Sequence, residues 1–214
     1  MKLPNKVLLI NTHLTYSRWS EGTLNNSLIQ IAKDFFKSHS IEVLETKVEE
    51  GYNPEEEVKK HLDTELIILQ MPVNWFGAPW IYKKYVDEVF NSGLFSKTFL
   101  SGDGRTREDE NKQYGTGGKL QGKKFMICAT WNAPSEAFNN PAQQLFKGKS
   151  VSDLFLNITS NYRFCGYDIL PEYNCFDIFK NENIAGDLKN YSKHLEKVIS
   201  SNSLYLDTLI QVAC

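Results

Sequence analysis

Short unbroken apolar runs alternate along the chain with stretches in which apolar residues return every three or four positions. KVLLIN (residues 6–11), ELIILQM (65–71) and KKFMICATW (123–131) have the continuous apolar character of strands buried on both faces. IEVLETK (41–47) alternates, as a strand nearer a sheet edge does. YDILPEYNCF (167–176) is a further strand, and Pro171 marks it as an edge strand or a bulge. Between these runs, Leu24, Leu28, Ile31 and Phe35 predict one amphipathic helix. Pro54 opens a second, with acidic residues in the first turn where the helix dipole favours them. Pro79 opens a third, carrying Ile81, Tyr85, Val89 and Phe90. Residues 150–164 form a fourth behind a Ser or Asp cap, and Leu188, Tyr191, Leu195 and Val198 a fifth.

Strands alternating with helices predict a parallel sheet covered on both faces. With right-handed crossovers, five strands give the order 2-1-3-4-5, a flavodoxin-like three-layer α/β sandwich. In such a sheet ligands bind beyond the carboxyl ends of the strands, where the strand order reverses. The loops after Asn11, Met71 and Thr130 are therefore expected to converge. The length of 214 residues favours one domain, taken as residues 1–200, with 201–214 a tail of no assigned role. There is no internal repeat.

Each loop carries candidate chemistry. The first, THLTYSRWSEGTLNNSL, brings Ser20, Gly22, Thr23, Leu24 and Asn25 to the start of a helix. Free N–H groups there suit an anion, although Ser20 as a plain helix cap explains the same residues. Neither G-x-x-x-x-G-K-[ST] nor G-x-G-x-x-G is present. In the second loop, Pro72 ends a strand and Val73, Asn74, Trp75 and Phe76 follow at the sheet's edge. Aromatic rings on a loop call for a cover, which a flat ligand, a partner subunit or the chain itself can supply. The third loop, with Thr130, Trp131, Asn132 and Ala133, repeats that pattern. Two such loops beside an anion loop favour a planar ligand over packing alone. A response regulator shares the fold order, but its acidic strand ends are here Asn11-Thr12 and Gln70-Met71, which lack the ligands for magnesium.

Charge and cysteine content narrow the classes. A formal net charge of −2 argues against a general nucleic-acid binder. Cys128, Cys165, Cys175 and Cys214 form no C-x-x-C pair, which favours free thiols over a zinc or dithiol site. No run is long enough for a membrane span, and a cytoplasmic location is expected. His39, His61 and His194 fall in or just past predicted helices and are expected at the surface. His13 sits near the predicted site without an obvious partner. No metal-ligand spacing appears. SGDGRTREDENKQYGTGG (101–118) has the composition of a mobile surface loop.

Taken together, QMP…W.GAPW..KKY.D.VF, SGDGRTR, YG.GG..QGKK, TWNAP.EAF and the S.G.LN segment stand in the order and spacing of one family. The chain resembles the modulator of drug activity B family of NADPH:quinone reductases over most of its length. The resemblance implies bound FAD, with FMN the other flavin, a homodimer, and two-electron ping-pong transfer from NADPH to a quinone. It implies flavin contacts at Ser20, Gly22, Thr23, Leu24, Asn25, Pro72, Val73, Asn74, Trp75, Tyr114, Thr130, Trp131, Asn132 and Ala133. The amides of the 131–133 turn would face the flavin. Tyr114 would lie over it, orienting the quinone, donating a proton or simply packing. Val73 and Asn74 depart from the family, which has Gly and Trp there. Azo or nitro acceptors remain an alternative, as does a non-enzymatic flavin carrier or redox-sensing module. Trp75, Phe76, Trp80, Tyr82, Tyr85, Phe90, Phe95 and Phe99 offer more aromatic surface than one small sheet covers, which also points to a dimer.

Overall fold

A computed structural model describes residues 3–200; the proposed tail and Cys214 lie outside them. Five strands run side by side in the order β2-β1-β3-β4-β5, all pairs parallel. They are β1 (Lys6–Asn11), β2 (Glu42–Lys47), β3 (Leu66–Pro72), β4 (Lys124–Thr130) and β5 (Asp168–Ile169). A further short strand, β6 (Tyr173–Cys175), also pairs with β4. The expected last strand is thus two pieces along one edge, parted around Pro171, whose missing N–H cannot join the ladder.

Alternation along the strands builds two cores. Leu8, Ile10, Ile67, Leu69, Phe125 and Ile127 face α2 (Pro54–Asp63), α3 (Trp80–Phe95), α4 (Val151–Leu154) and α5 (Leu156–Cys165). Val7, Leu9, Leu66, Ile68, Met126 and Cys128 face α1 (Thr23–Ser38) and α6 (Ile184–Ser200). Each such aliphatic side chain contributes about 1.5–3 kcal/mol when buried. The helix starts follow from local chemistry. Asn53 accepts from the amides of Glu55 and Glu56, and Ser150 forms a reciprocal capping box with Asp153. The predicted helix at 150–164 is interrupted at Phe155. In α1 the fully buried apolar stripe is Leu28, Ile29, Ala32 and Phe36; Leu24, Ile31 and Phe35 flank it half-buried.

His61 is not at the surface. It is fully buried, with Nδ1 3.0 Å from the Tyr167 hydroxyl and Nε2 3.1 Å from that of Tyr85. The Tyr85 hydroxyl donates to Glu57 at 2.8 Å, and the same carboxylate accepts from Thr46 and from Lys60. Burial, then the charges of Lys123 and Lys60, pushes His61 down to about 3, so the ring is neutral. The Tyr85 proton is engaged by Glu57. His61 therefore donates through Nε2–H to the Tyr85 oxygen and accepts at Nδ1 from Tyr167. His39 is exposed as expected, and His194 is half-buried against the Pro171 carbonyl.

The glycine-rich stretch is tied down rather than loose. Ser101 N–H donates to Gly117, Gly115 N–H to Asp103, and Lys119 N–H to Phe99. Gly118 lies flat on the backbone of Cys165 and Gly166, where a side chain could not fit. Of the eight aromatics counted toward a dimer face, Tyr82, Tyr85 and Phe99 are buried in this chain's own core. Trp75, Phe76, Trp80 and Phe95 remain exposed.

Candidate active site

The strand ends open into one cleft of about 1300 Å³. Its lining includes Ser20, Gly22, Thr23, Leu24, Asn25, Pro72, Val73, Asn74, Trp75, Thr130, Trp131, Asn132 and Ala133. All three predicted loops therefore meet at the carboxyl edge of the sheet. The reason is topological: β1 and β3 are neighbours whose following helices lie on opposite faces, so their loops part above the sheet.

Buried hydrogen bonds fix the loops to one another. Gln70, at the end of β3, donates Nε2–H to Asn25 Oδ1 at 2.7 Å. Asn25 reaches on to the Thr130 hydroxyl at 3.5 Å. Val73 N–H donates to the Thr130 carbonyl at 2.9 Å, coupling the second loop to the third. The Val73 amide is thereby committed within the protein.

The second loop is a two-residue hairpin. Asn74 and Gly77 exchange main-chain hydrogen bonds of 2.9 and 3.2 Å around Trp75 and Phe76. Both central residues are left-handed, at φ 50 and 67. That is the backbone of a tight hairpin turn usually made by Asn-Gly, and bulky residues hold it at a cost of about 1–3 kcal/mol each. The hairpin lifts Trp75 clear of the protein at 94% exposure, and Trp80, the first residue of α3, is 63% exposed. Among the described residues nothing covers either ring.

Trp131 behaves differently. Its ring is 1% exposed and packs on Phe138 and Phe155, with centroids at 5.0 and 5.3 Å. Its Nε1–H donates to Asn174 Oδ1 at 2.9 Å. Its amide donates to the Cys175 carbonyl, so it is not free to face a ligand, contrary to the expectation for the whole 131–133 turn. The amides of Asn132 and Ala133 have no partner among the described residues. Trp131 thus anchors the turn, and the two residues after it present donors.

Tyr114 does not line the cleft. It packs on Phe164, with centroids at 5.2 Å, in the last turn of α5. Nearby, Leu120 N–H bonds the Cys165 carbonyl and Lys124 starts β4, which places this loop at the amino end of the sheet. The sixteen residues of α3 separate the two ends, roughly 24 Å of helix. Arg105, held by Asp103, lies over the Tyr114 ring at 5.3 Å.

Several lining residues were not picked out from the sequence: Tyr16, Trp19, Ile178, Phe179, Ile184 and Leu188. The last four come from the segment after β6 and the start of α6. Ile178 and Phe179 lie on a fourth loop beyond a strand end, that of β6. Tyr16 and Trp19 stack on each other at 5.3 Å at the cleft's rim.

A family model described as a flavodoxin-like fold matches residues 5–198. The chain is 41% identical over 179 residues to the NADPH:quinone oxidoreductase MdaB of Haemophilus influenzae, covering 84% of this chain and 92% of that one. It is 36% identical over 196 residues to an uncharacterized protein of Schizosaccharomyces pombe, covering 92% and 98%. Among solved structures, one described as a candidate quinone reductase from Klebsiella pneumoniae superposes with a TM-score of 0.74 at 20% identity, covering 92% of this chain and 85% of that one; at that identity the likeness is one of fold. By the family match and the 41% identity, the chain belongs to the flavodoxin-like fold family and, within it, to the modulator of drug activity B family.

Proposed function

We propose that the chain is a flavin-dependent NAD(P)H:quinone oxidoreductase. The carrying observation is the cleft itself: an anion-friendly helix start after β1, a pair of exposed aromatic rings after β3, and two free amides after β4. That order of surfaces fits a long ligand with a flat ring system and a phosphate. A flavin bound there supplies a reversible two-electron carrier between a nicotinamide and a quinone. Ser20, Gly22, Thr23, Leu24 and Asn25 hold its phosphate, the last four at the amino end of α1. Asn132 and Ala133 direct amides at the part of the ring that gains charge on reduction. Trp75 and Phe76 offer flat faces at the mouth, against which donor and acceptor take turns in one place. Such sharing of one place makes the kinetics ping-pong.

FAD fits better than FMN. The cleft is also lined by an apolar set, Ile178, Phe179, Ile184 and Leu188, and this set suits the second ring that FAD has and FMN lacks. The assembly is a homodimer. Tyr114, which the family resemblance assigns to the flavin, sits at the far end of its own sheet, so only a second copy brings it to a cleft. Exposed Phe95 and Trp80 extend along α3 between the two ends.

The purified protein should be yellow and release FAD on denaturation. It should oxidise NADPH slowly alone and rapidly with a benzoquinone. A protein that stays colourless with FAD and FMN refutes the reading. FMN alone keeps the reductase and corrects the cofactor. Faster turnover with azo or nitro compounds than with any quinone moves the acceptor class, and flavin binding without NADPH oxidation makes the chain a carrier. Sedimentation as a monomer at micromolar concentration removes the dimer.

A further inference from the structure

We propose that His13 is a positioning residue of the anion loop: its ring sets the Ser20 hydroxyl as a donor into the cleft and forms the floor on which Gly22 rests. The inference builds on the reading that this loop takes the phosphate of a flavin nucleotide. His13 does not line the cleft and is only 6% exposed, so it acts through its neighbours. Its Nε2 lies 3.2 Å from Ser20 Oγ. Its amide donates to Asn11 Oδ1 at 3.0 Å, and Asn11 donates to Asn26 in the first turn of α1 at 3.3 Å. The backbone of His13 is therefore tied through Asn11 to the strand end and to the helix that carries the loop, and the imidazole itself bonds Ser20.

Two features make the ring decisive. The first is space. A Cβ on Gly22 would stand 2.6 Å from His13 Cε1 and 2.7 Å from Nδ1, so the glycine exists where the ring runs beneath the backbone. Its φ of +77 is the left-handed turn that leads into α1. The second is proton polarity. The Ser20 amide already donates to the Tyr16 carbonyl at 2.9 Å, so Ser20 can offer a ligand only its hydroxyl. A hydroxyl has one proton. If it were given to His13, Ser20 would show an anion only lone pairs. With Nε2–H donating to Ser20 Oγ, the hydroxyl proton is free to point into the cleft. A bound phosphate selects that arrangement, and the tautomer of His13 is what permits it.

The test compares ligands with and without phosphate on the full chain. Apoprotein is titrated with FAD, FMN and riboflavin, read by quenching of flavin fluorescence. His13→Leu keeps bulk and removes the donor; it should weaken FAD and FMN about tenfold, the worth of one hydrogen bond to a charged group, and leave riboflavin unchanged. Ser20→Ala should show the same loss, and the double variant no more than Ser20→Ala alone. His13→Gln, which restores an N–H donor, should recover part of the affinity. Unchanged FAD and FMN binding in His13→Leu overturns the inference. So does an equal loss of riboflavin, or losses that multiply in the double variant. If the wild type binds no flavin at all, the functional reading fails while the inference stays open to inorganic pyrophosphate. Pyrophosphate should then raise the melting temperature of the wild type and not of His13→Leu. No rise in either, or the same rise in both, removes the inference as well.

Discussion

The cleft at the start of α3 and the core packed under that helix use the same residue types to opposite effect. At the cleft, Trp75 and Trp80 stand in solvent, and the hairpin under Trp75 is held in a left-handed backbone. Under α3, on the same face of the sheet, Tyr85, Tyr162, Tyr167 and His61 are packed ring to ring and buried. The buried cluster also satisfies its charge: Glu57 accepts from Thr46, Tyr85 and Lys60. One region spends its aromatics on stability. The other carries strain and exposure that nothing among the described residues offsets, which is the condition of a surface kept for a ligand. Mutations should therefore separate the two regions cleanly, stability in one and turnover in the other.

The sharpest break is at Glu57. Glu57→Ala leaves the Tyr85 and Thr46 hydroxyls without their acceptor and Lys60 without its counter-ion. Loss of one partner from a buried charged network costs about 3–5 kcal/mol. Urea unfolding of the apoprotein should show it, while FAD affinity in the folded fraction stays at the wild-type value. A parallel loss of FAD affinity would join the two regions that the comparison separates.

Acid should act on the same cluster. The folded pKa of His61, about 3, lies below the unfolded value of 6.5. Between those values the unfolded chain binds a proton that the folded chain refuses, so stability falls as pH drops through the window from 6.5 to 3. This one group contributes a slope of up to about 1.4 kcal/mol per pH unit. His61→Gln should unfold more easily at pH 7 yet lose stability less steeply between pH 6.5 and 4. Identical slopes in the two proteins would mean that His61 titrates normally.

The cleft should answer the other way. Trp75→Ala removes a ring that is 94% exposed among the described residues and leaves the hairpin's backbone in place. Unfolding free energy should stay within about 0.5 kcal/mol, as for an exposed site. Quinone turnover should fall about tenfold, the order of one lost ring-on-ring contact of roughly 1–1.5 kcal/mol. Trp75→Gly should go further and stabilise the apoprotein by relieving the left-handed strain, with the same loss of turnover. Reduced stability in both would make Trp75 a packing residue despite its exposure.

How far the sequence revealed each region follows from distance along the chain. β1, β3 and β4 were legible because strands buried on both faces read as unbroken apolar runs, and their ends placed the cleft. The His61 cluster was not legible. PEEEVKKHL looks like a solvent-facing helix, and the partners that bury His61 lie 24 and 106 residues away. The hairpin's strain was hidden because Asn-Trp-Phe-Gly lacks the Asn-Gly signal of its turn. The apolar stretch at Ile178 and Phe179 was missed because Pro171 splits the last strand and obscures the strand end that precedes it. Tyr114 could be tied to the cofactor only through family likeness; its place at the amino end of the sheet is a fact of three dimensions.

The smallest effect is expected at Trp131, which belongs to both regions. Its ring is core, stacked on Phe155 and met edge-on by Phe138, while its backbone follows β4 and starts the turn that carries Asn132 and Ala133. Trp131→Phe keeps most of the volume and deletes the bond from Nε1–H to Asn174. That bond holds the turn against β6, whose Cys175 carbonyl also receives the Trp131 amide. The loss of stability should be about 1 kcal/mol, the net worth of a hydrogen bond plus a small void. The turn should loosen with it, because one of its two ties to β6 is gone. FAD affinity should then fall by a factor of about two to five, since the amides of Asn132 and Ala133 no longer hold one direction. Asn174→Ala removes the same bond from the other side, outside the cleft, and should reproduce the FAD effect if the tie is what matters. If Trp131→Phe lowers apo stability while FAD affinity and turnover of the folded fraction are unchanged, Trp131 is a core residue alone. The turn is then held by its main-chain bonds, and the boundary between the two regions runs on the cleft side of Trp131.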